Sequence, residues 1–171
     1  NLMRGLPNMT VLVPADGPET TKAIRAAAEM DGPVYIRLGR SGVPVITTDD
    51  TPFEIGKGLV LKEGSDVTLI ACGMMVSVAL DAAELLAADG VSAAVIDMSS
   101  IKPIDRALIS EWAKKTCAVV TAEEHNIIGG LGSAVAEVLV EEALVPMERV
   151  GVEDVFGESG TGAALVEKYA L

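Results

Sequence analysis

Val67-Thr68-Leu69-Ile70-Ala71-Cys72, followed by Met75 to Gly90 and then Ser92 to Met98, is the stretch that decides the fold. The first run is a near-continuous apolar strand. From Met75, apolar residues recur at Val78, Ala79, Ala82, Leu85 and Leu86, with Asp81 and Glu84 opposite. That spacing predicts an amphipathic helix, and Gly90 closes it. Ser92 to Met98 is a second strand. Strands that are apolar throughout, joined by a helix, imply a parallel sheet buried on both faces with right-handed crossovers.

The alternation continues towards the C-terminus. Lys57 to Lys62 reads as a strand before the central unit, with a turn at Glu63 to Asp66. Asp105 caps a short helix to Lys114, Cys117 to Thr121 is a strand, and Leu131 to Glu142 is a helix. Arg149 to Val152 is a last short strand, and Thr161 caps a final helix holding Leu165, Val166 and Tyr169. The fold class is α/β, a three-layer sandwich with a mostly parallel sheet.

Towards the N-terminus the pattern is shorter. Leu6 to Asp16 runs from a strand into a helix start. Asp16 is placed to accept a backbone N–H, Glu19 gives a capping-box-like spacing, and Pro18 suits the first turn. Ile24, Ala27 and Ala28 share one helix face. Gly32-Pro33 stops the helix, and Val34 to Leu38 is a strand leading to Arg40. One strand–helix–strand unit cannot bury both faces of its sheet. Residues 1–42 are therefore expected to be the remnant of a second α/β domain, and their open edges predict association. Asn1 in place of Met fits a truncated or processed product. Residues 43–54, bracketed by prolines and without helical period, read as a linker reaching ~40 Å at most. Residues 55–171 form the second domain.

Bulk properties narrow the function classes. Half of the 171 residues are hydrophobic but only 3% are aromatic, so the core is built from Ala, Val, Leu and Ile. A net charge of −12, spread along the chain, argues against a nucleic-acid partner. Cys72 and Cys117 lie in apolar runs without metal-ligand spacing and read as buried reduced thiols. No apolar run approaches the ~20 residues of a membrane helix, and no signal peptide is evident. The cytoplasm is the default location.

Three motifs in order carry a family resemblance. The first is Leu2 to Asp16 with Glu19, followed by Gly32 to Arg40. The second is Val119-Val120-Thr121-Ala122-Glu123-Glu124-His125-Asn126-Ile127-Ile128-Gly129-Gly130-Leu131-Gly132-Ser133. The third is Phe156-Gly157-Glu158-Ser159-Gly160-Thr161 with Leu165 and Tyr169. The first resembles the end of the pyrimidine-binding domain of transketolase-type, thiamine-diphosphate-dependent enzymes. The other two resemble the C-terminal domain of that family, above all the smaller subunit of transketolases split over two chains.

The resemblance implies a C-terminal section of an enzyme that moves two-carbon ketol units between sugar phosphates. Thiamine diphosphate and Mg2+ or Ca2+ would be bound by the intact enzyme and not by this chain alone. The glutamate that protonates the aminopyrimidine, the stacking aromatics and the diphosphate site belong to earlier parts of such enzymes. Implied partners are that N-terminal section or subunit, a second copy in a homodimer, and a sugar phosphate. The resemblance leaves two neighbouring activities open, 1-deoxyxylulose-5-phosphate synthase and the 2-oxo-acid dehydrogenase beta subunit. A non-catalytic assembly module is the alternative from another class.

Among single residues, Arg40 stands at the C-terminal edge of a parallel strand pair, where open α/β folds bind ligands. A guanidinium fork grips phosphate bidentately, and the matching transketolase arginine contacts the phosphate end of the substrate. A surface arginine paired with an acidic neighbour is the plainer account. Arg37, three residues earlier, resembles the first arginine of the synthase Arg-x-x-Arg and suits an interface role. His125, the sole histidine, lies beside Glu123 and Glu124 without a nucleophile or metal partner, which favours a loop or interface role. Gly129-Gly130-Leu131-Gly132 has the look of a phosphate loop, but Val135 stands where the third glycine belongs, so close helix packing is preferred. Gly157 to Thr161 lacks the last glycine of a nucleophile elbow and reads as a helix cap. Met74-Met75 reads as core.

Overall fold

Alternate residues of the central strands feed two separate apolar clusters. Ile70, Cys72, Ala94, Ile96 and Met98 point to one, while Leu69, Ala71, Ala93 and Val95 point to the other. This is the pleat of a sheet covered on both faces. A computed structural model describes residues 1–171. The N-terminal unit comprises α1 (Leu2–Gly5), β1 (Thr10–Leu12), α2 (Gly17–Ala28) and β2 (Val34–Ile36). There follow β3 (Leu59–Lys62), β4 (Val67–Ala71), α3 (Met75–Ala88), β5 (Ala93–Asp97) and β6 (Ser100–Lys102). The chain ends with α4 (Arg106–Thr116), β7 (Val119–Asn126), α5 (Leu131–Glu142), β8 (Met147–Val152) and α6 (Gly162–Lys168).

The main sheet has five strands in the order β3-β5-β4-β7-β8. β5, β4, β7 and β8 run parallel, and β3 closes one edge antiparallel to β5. Ile109 and Trp112 of α4 with Leu131, Val135 and Val138 of α5 cover one face. Met75, Val76, Ala79 and Ala83 of α3 cover the other. The expected three-layer α/β arrangement is the one observed.

Several details differ from the sequence reading. On α2 the buried residues are Glu19 and Ala23, while Ile24 is 49% exposed. The expected apolar face looks outwards because α2 covers only two parallel strands and meets the main sheet through its first turn. Leu85 of α3 is likewise exposed, the helix being rotated so that Ala83 packs inwards. Cys72 is a buried free thiol as expected. Cys117, however, is exposed and outside the strand, serving as the C-cap of α4 at φ 59°.

β6 has no counterpart in the sequence reading, and it changes the status of the N-terminal unit. β1 pairs parallel with β2 on one side and antiparallel with β6 on the other. One edge of the strand pair is thus closed from within the chain. Val13 N–H donates to the Ser99 carbonyl at 2.7 Å, and Gly73 N–H to the Val13 carbonyl at 3.1 Å. Val11 and Val13 join the larger apolar cluster.

Residues 43–54 are also tied down. Asp16 caps α2 through Glu19 N–H at 3.0 Å. Its carboxylate also accepts Ile46 N–H at 2.8 Å, Thr47 N–H at 2.6 Å and the Thr47 hydroxyl at 2.7 Å. Burial works to raise the Asp16 pKa, but these four donors prevail and hold it below the usual carboxylate range.

Candidate functional site

The C-terminal ends of β2 and β7 meet across the junction between the N-terminal unit and the main sheet. Parallel strands leave their carbonyl ends and the following loops on one edge, where side chains converge. Here they enclose a cavity of about 270 Å3, lined among others by Arg37, Cys72, Glu123, Glu124, His125 and Gly130. Arg40 lies outside that lining, exposed beyond the end of β2.

Arg37 is held by Glu124. Its guanidinium donates to the Glu124 carbonyl at 2.8 Å and pairs with the Glu124 carboxylate at 3.2 Å. It is a bracket between the two units, the interface role expected from the sequence. Both side chains are about one-third exposed, so the pair is worth little in free energy and fixes geometry instead.

Glu123 explains the glycine-rich turn. Its side chain is buried within the second half of β7 and accepts Leu131 N–H at 2.7 Å and Gly132 N–H at 2.8 Å. The first turn of α5, which would otherwise offer free donors to an anion, is occupied by the chain's own carboxylate. A Cβ on Gly130 would overlap that carboxylate, so a side chain there is excluded. A Cβ on Gly132 would stand 2.8 Å from Arg149 Cδ and 2.9 Å from Thr121 Oγ1. Both glycines serve close approach, in line with the packing account.

His125 is half-buried. Its Nδ1–H donates to the Asn126 carbonyl at 2.7 Å, and Nδ1 lies 3.8 Å from Glu123 Oε2. With Nδ1 facing its own backbone, the ring shapes the loop. Cys72 also lines the cavity; burial foremost, then the Glu123 and Asp97 charges, push its thiol up, so it stays neutral. Thr161 caps α6 through Ala164 N–H at 3.3 Å, which is the helix-cap reading of that glycine motif. Met75 is buried core.

Residues 56–171 match the family described as Transketolase, C-terminal domain, and residues 1–45 match Transketolase, pyrimidine binding domain. The chain belongs to the transketolase family. It is 47% identical over 171 residues to the 6-deoxy-6-sulfo-D-fructose transketolase subunit SqwH of Clostridium sp., covering 100% of this chain and 53% of that protein. It is 38% identical over 172 residues to a 1-deoxy-D-xylulose-5-phosphate synthase of Heliobacterium modesticaldum, covering 99% of this chain and 27% of that protein. A solved structure titled "Split gene transketolase, inactive beta4 tetramer" superposes with a TM-score of 0.95 at 62% identity, covering 98% of this chain and 55% of that one. The chain thus spans about half the length of the split-gene relatives it matches.

The family implies thiamine diphosphate in the intact enzyme, and the buried acids of this chain do not fit it. Glu123 is spent on α5, and Glu19 on the Ala15 N–H and Asp97. No His, Cys, Asp or Glu cluster has the geometry of a metal site. Sequence reasoning missed both Asp97 and the capping role of Glu123. A single charge inside the apolar run Ala93 to Met98 is the signal that marks the first; an acid eight residues before a glycine-flanked helix marks the second.

Proposed function

We propose that the chain is the C-terminal section of a transketolase-like enzyme that moves two-carbon ketol units between sugar phosphates. In this reading it supplies scaffold, dimer contacts and one substrate-phosphate arginine, Arg40, and is not catalytic by itself. Residues 1–42 complete a pyrimidine-binding domain, 43–54 are the linker, and 55–171 form the C-terminal domain. An N-terminal section or subunit, in the cytoplasm, holds thiamine diphosphate and Mg2+ or Ca2+. Bound there, the cofactor supplies the electron sink, and no step through it is assigned to residues of this chain.

The observation that carries the reading is the contrast between the two arginines after β2. Arg37 is taken by Glu124. Arg40 is exposed at the C-terminal edge of the parallel β1–β2 pair. Four residues past Ile36, it is the guanidinium left over for an anionic substrate. The similarity to 1-deoxy-D-xylulose-5-phosphate synthases supports a second reading with the same edge and another acceptor.

The test is steady-state kinetics of the intact enzyme carrying Arg40→Ala. A charge-assisted hydrogen bond is worth about 1.5–3 kcal/mol, so KM for the phosphorylated sugar rises about 10- to 100-fold. Arg40→Lys recovers part of the loss, and the thermal midpoint stays put. An unchanged KM overturns the assignment. Assaying the same variant with pyruvate and a triose phosphate separates the two readings.

A further inference from the structure

Asp97 ends β5 at 1% exposure, and neither carboxyl oxygen finds a donor in the chain. The group that faces it is another carboxyl. Glu19 reaches it from the first turn of α2 and is itself 5% exposed. Glu19 Oε2 accepts Ala15 N–H at 2.6 Å, while the same carboxyl also meets Ser99 and Asp97. The two residues belong to different units, α2 to the N-terminal one and β5 to the main sheet.

Their surroundings offer no cation. Opposite Asp97 in the sheet stand Leu59 of β3 and Ala71 of β4. Cys72, just past β4, is a buried neutral thiol. On the α2 side Lys22 turns to the Thr48 and Thr51 carbonyls and Arg25 is exposed, and the charge beside the pair is Asp16, which its four donors keep ionised and therefore negative. The three carboxyls do not converge as metal ligands. Two buried carboxyls in contact, with a third negative charge beside them, do not both ionise; a proton held between them supplies the missing donor.

We propose that Glu19 and Asp97 share one proton, and that this acid–carboxylate bond is a pH-sensitive latch joining the N-terminal unit to the main sheet. Burial first, then the Glu19 charge, drives Asp97 well above the ordinary carboxylate range. Glu19 is raised as well, again chiefly by burial. The docked state therefore keeps a proton that free carboxyls release near pH 4. The latch is complete below the free carboxyl range near pH 4, weakens as pH climbs from there towards the raised range of the docked pair, and is lost once pH has passed it. Within that window each pH unit moves the docking equilibrium about tenfold towards the open state per proton held. Opening would release the start of α2, and with it the Asp16 contacts to residues 46 and 47. The latch is independent of the role given to Arg40.

Infrared difference spectroscopy on the full-length protein tests the shared proton directly. At about pH 7 the wild type shows the carbonyl stretch of a protonated carboxyl, moved by exchange into D2O. Asp97→Asn and Glu19→Gln each remove it, since the amide now provides the donor. Hydrogen exchange at Ala15 and Glu19, corrected for intrinsic rates, tests the latch. Wild-type protection falls with rising pH above the free carboxyl range near pH 4, by up to tenfold per unit until the docked pair has lost its proton, and either amide variant flattens the profile. Should one variant fail to fold, the other carries both readouts. Absence of the band in the wild type, its survival in both variants, or a wild-type slope in the variants overturns the proposal.

Discussion

The main sheet and the N-terminal unit are neighbours held together by different forces. The sheet is a cross-section of apolar side chains: Ile70, Ile96, Val95 and Val119 are each at most 1% exposed, between α3 on one face and α4 with α5 on the other. The N-terminal unit contributes little apolar surface. Its buried apolar side chains are Val11, Leu12 and Val13, in and just past β1, with Ala15 and Ala23, and its other joints are a borrowed strand, an arginine bracket, a caged Asp16 and a carboxyl pair. Apolar burial carries no titratable group and is not screened by ions, while polar joints respond to pH and to ionic strength. The difference teaches where stability resides and where adjustability resides.

The sharpest way to break that contrast is to cut a side chain from each region. Ile70→Ala, in the central strand, opens a cavity and is expected to cost about 2–5 kcal/mol, lowering the denaturant midpoint of the whole chain. Ile24→Ala, on the outward face of α2, is expected to stay within about 0.5 kcal/mol. Comparable losses at the two positions would show that α2 packs against something with the force of a core. Next comes Glu123→Ala, which strands the Leu131 and Gly132 N–H groups of α5. Buried unpaired donors cost about 1–3 kcal/mol, read as a lower midpoint together with faster exchange at those two amides. An unshifted midpoint would mean water or another acceptor replaces the carboxylate.

How much of this contrast was legible in the sequence follows the same division. The apolar runs at 67–72 and 92–98, the Gly90 stop and the Asp105 and Thr161 caps are local patterns, and the structure places elements over them. Leu131–Glu142 coincides with the helix read from the sequence. What stayed hidden was relational. β6 is three residues long and exists because β1 needs an edge partner, information held about 90 residues away. The rotation that exposes Ile24 and Leu85 depends on what each helix covers, which periodicity does not encode. Asp97 and Glu19 are ordinary acids until the fold sets them face to face. Arg40 and Arg37 were already given different roles from the sequence, and what stayed hidden was the partner of Arg37, Glu124, 87 residues away.

Asp16 offers a finer cut, because its hydrogen bonds tie the start of α2 to residues 46 and 47 and to no strand of the main sheet. Asp16→Ala removes the α2 cap and three contacts to residues 46 and 47, an expected loss of about 1–2 kcal/mol from local opening. The signature is faster exchange at Glu19, Ile46 and Thr47 while β4 and β7 amides stay protected. Its pH sense is opposite to that of Glu19 and Asp97. The folded pKa of Asp16 is lowered, so its contribution is present above the unfolded carboxylate value near 3.9 and is lost as pH falls through the folded value. Asp16→Asn should flatten the acid limb of a stability–pH curve and, by removing a negative charge beside Glu19 and Asp97, move the alkaline limb to lower pH. Acid sensitivity that persists in Asp16→Asn would assign that limb to other carboxylates.

Smallest is the arginine bracket. Arg37 to Glu124 is a partly exposed pair, so Arg37→Ala is expected to cost only about 0.2–1 kcal/mol in the unfolding midpoint. Its larger effect is positional. The guanidinium also donates to the Glu124 carbonyl, which pins the end of β2 against the end of β7. Removing it frees the strand end that carries Arg40, and if Arg40 grips phosphate, KM for the phosphorylated substrate rises in the intact enzyme while kcat and the midpoint barely move. A Glu124→Gln variant separates the two contacts: it weakens the ion pair and leaves the carbonyl bond. If the carbonyl does the positioning, Glu124→Gln is silent where Arg37→Ala is not. Equal effects from both would put the positioning in the charge, and the bracket would then loosen with added salt.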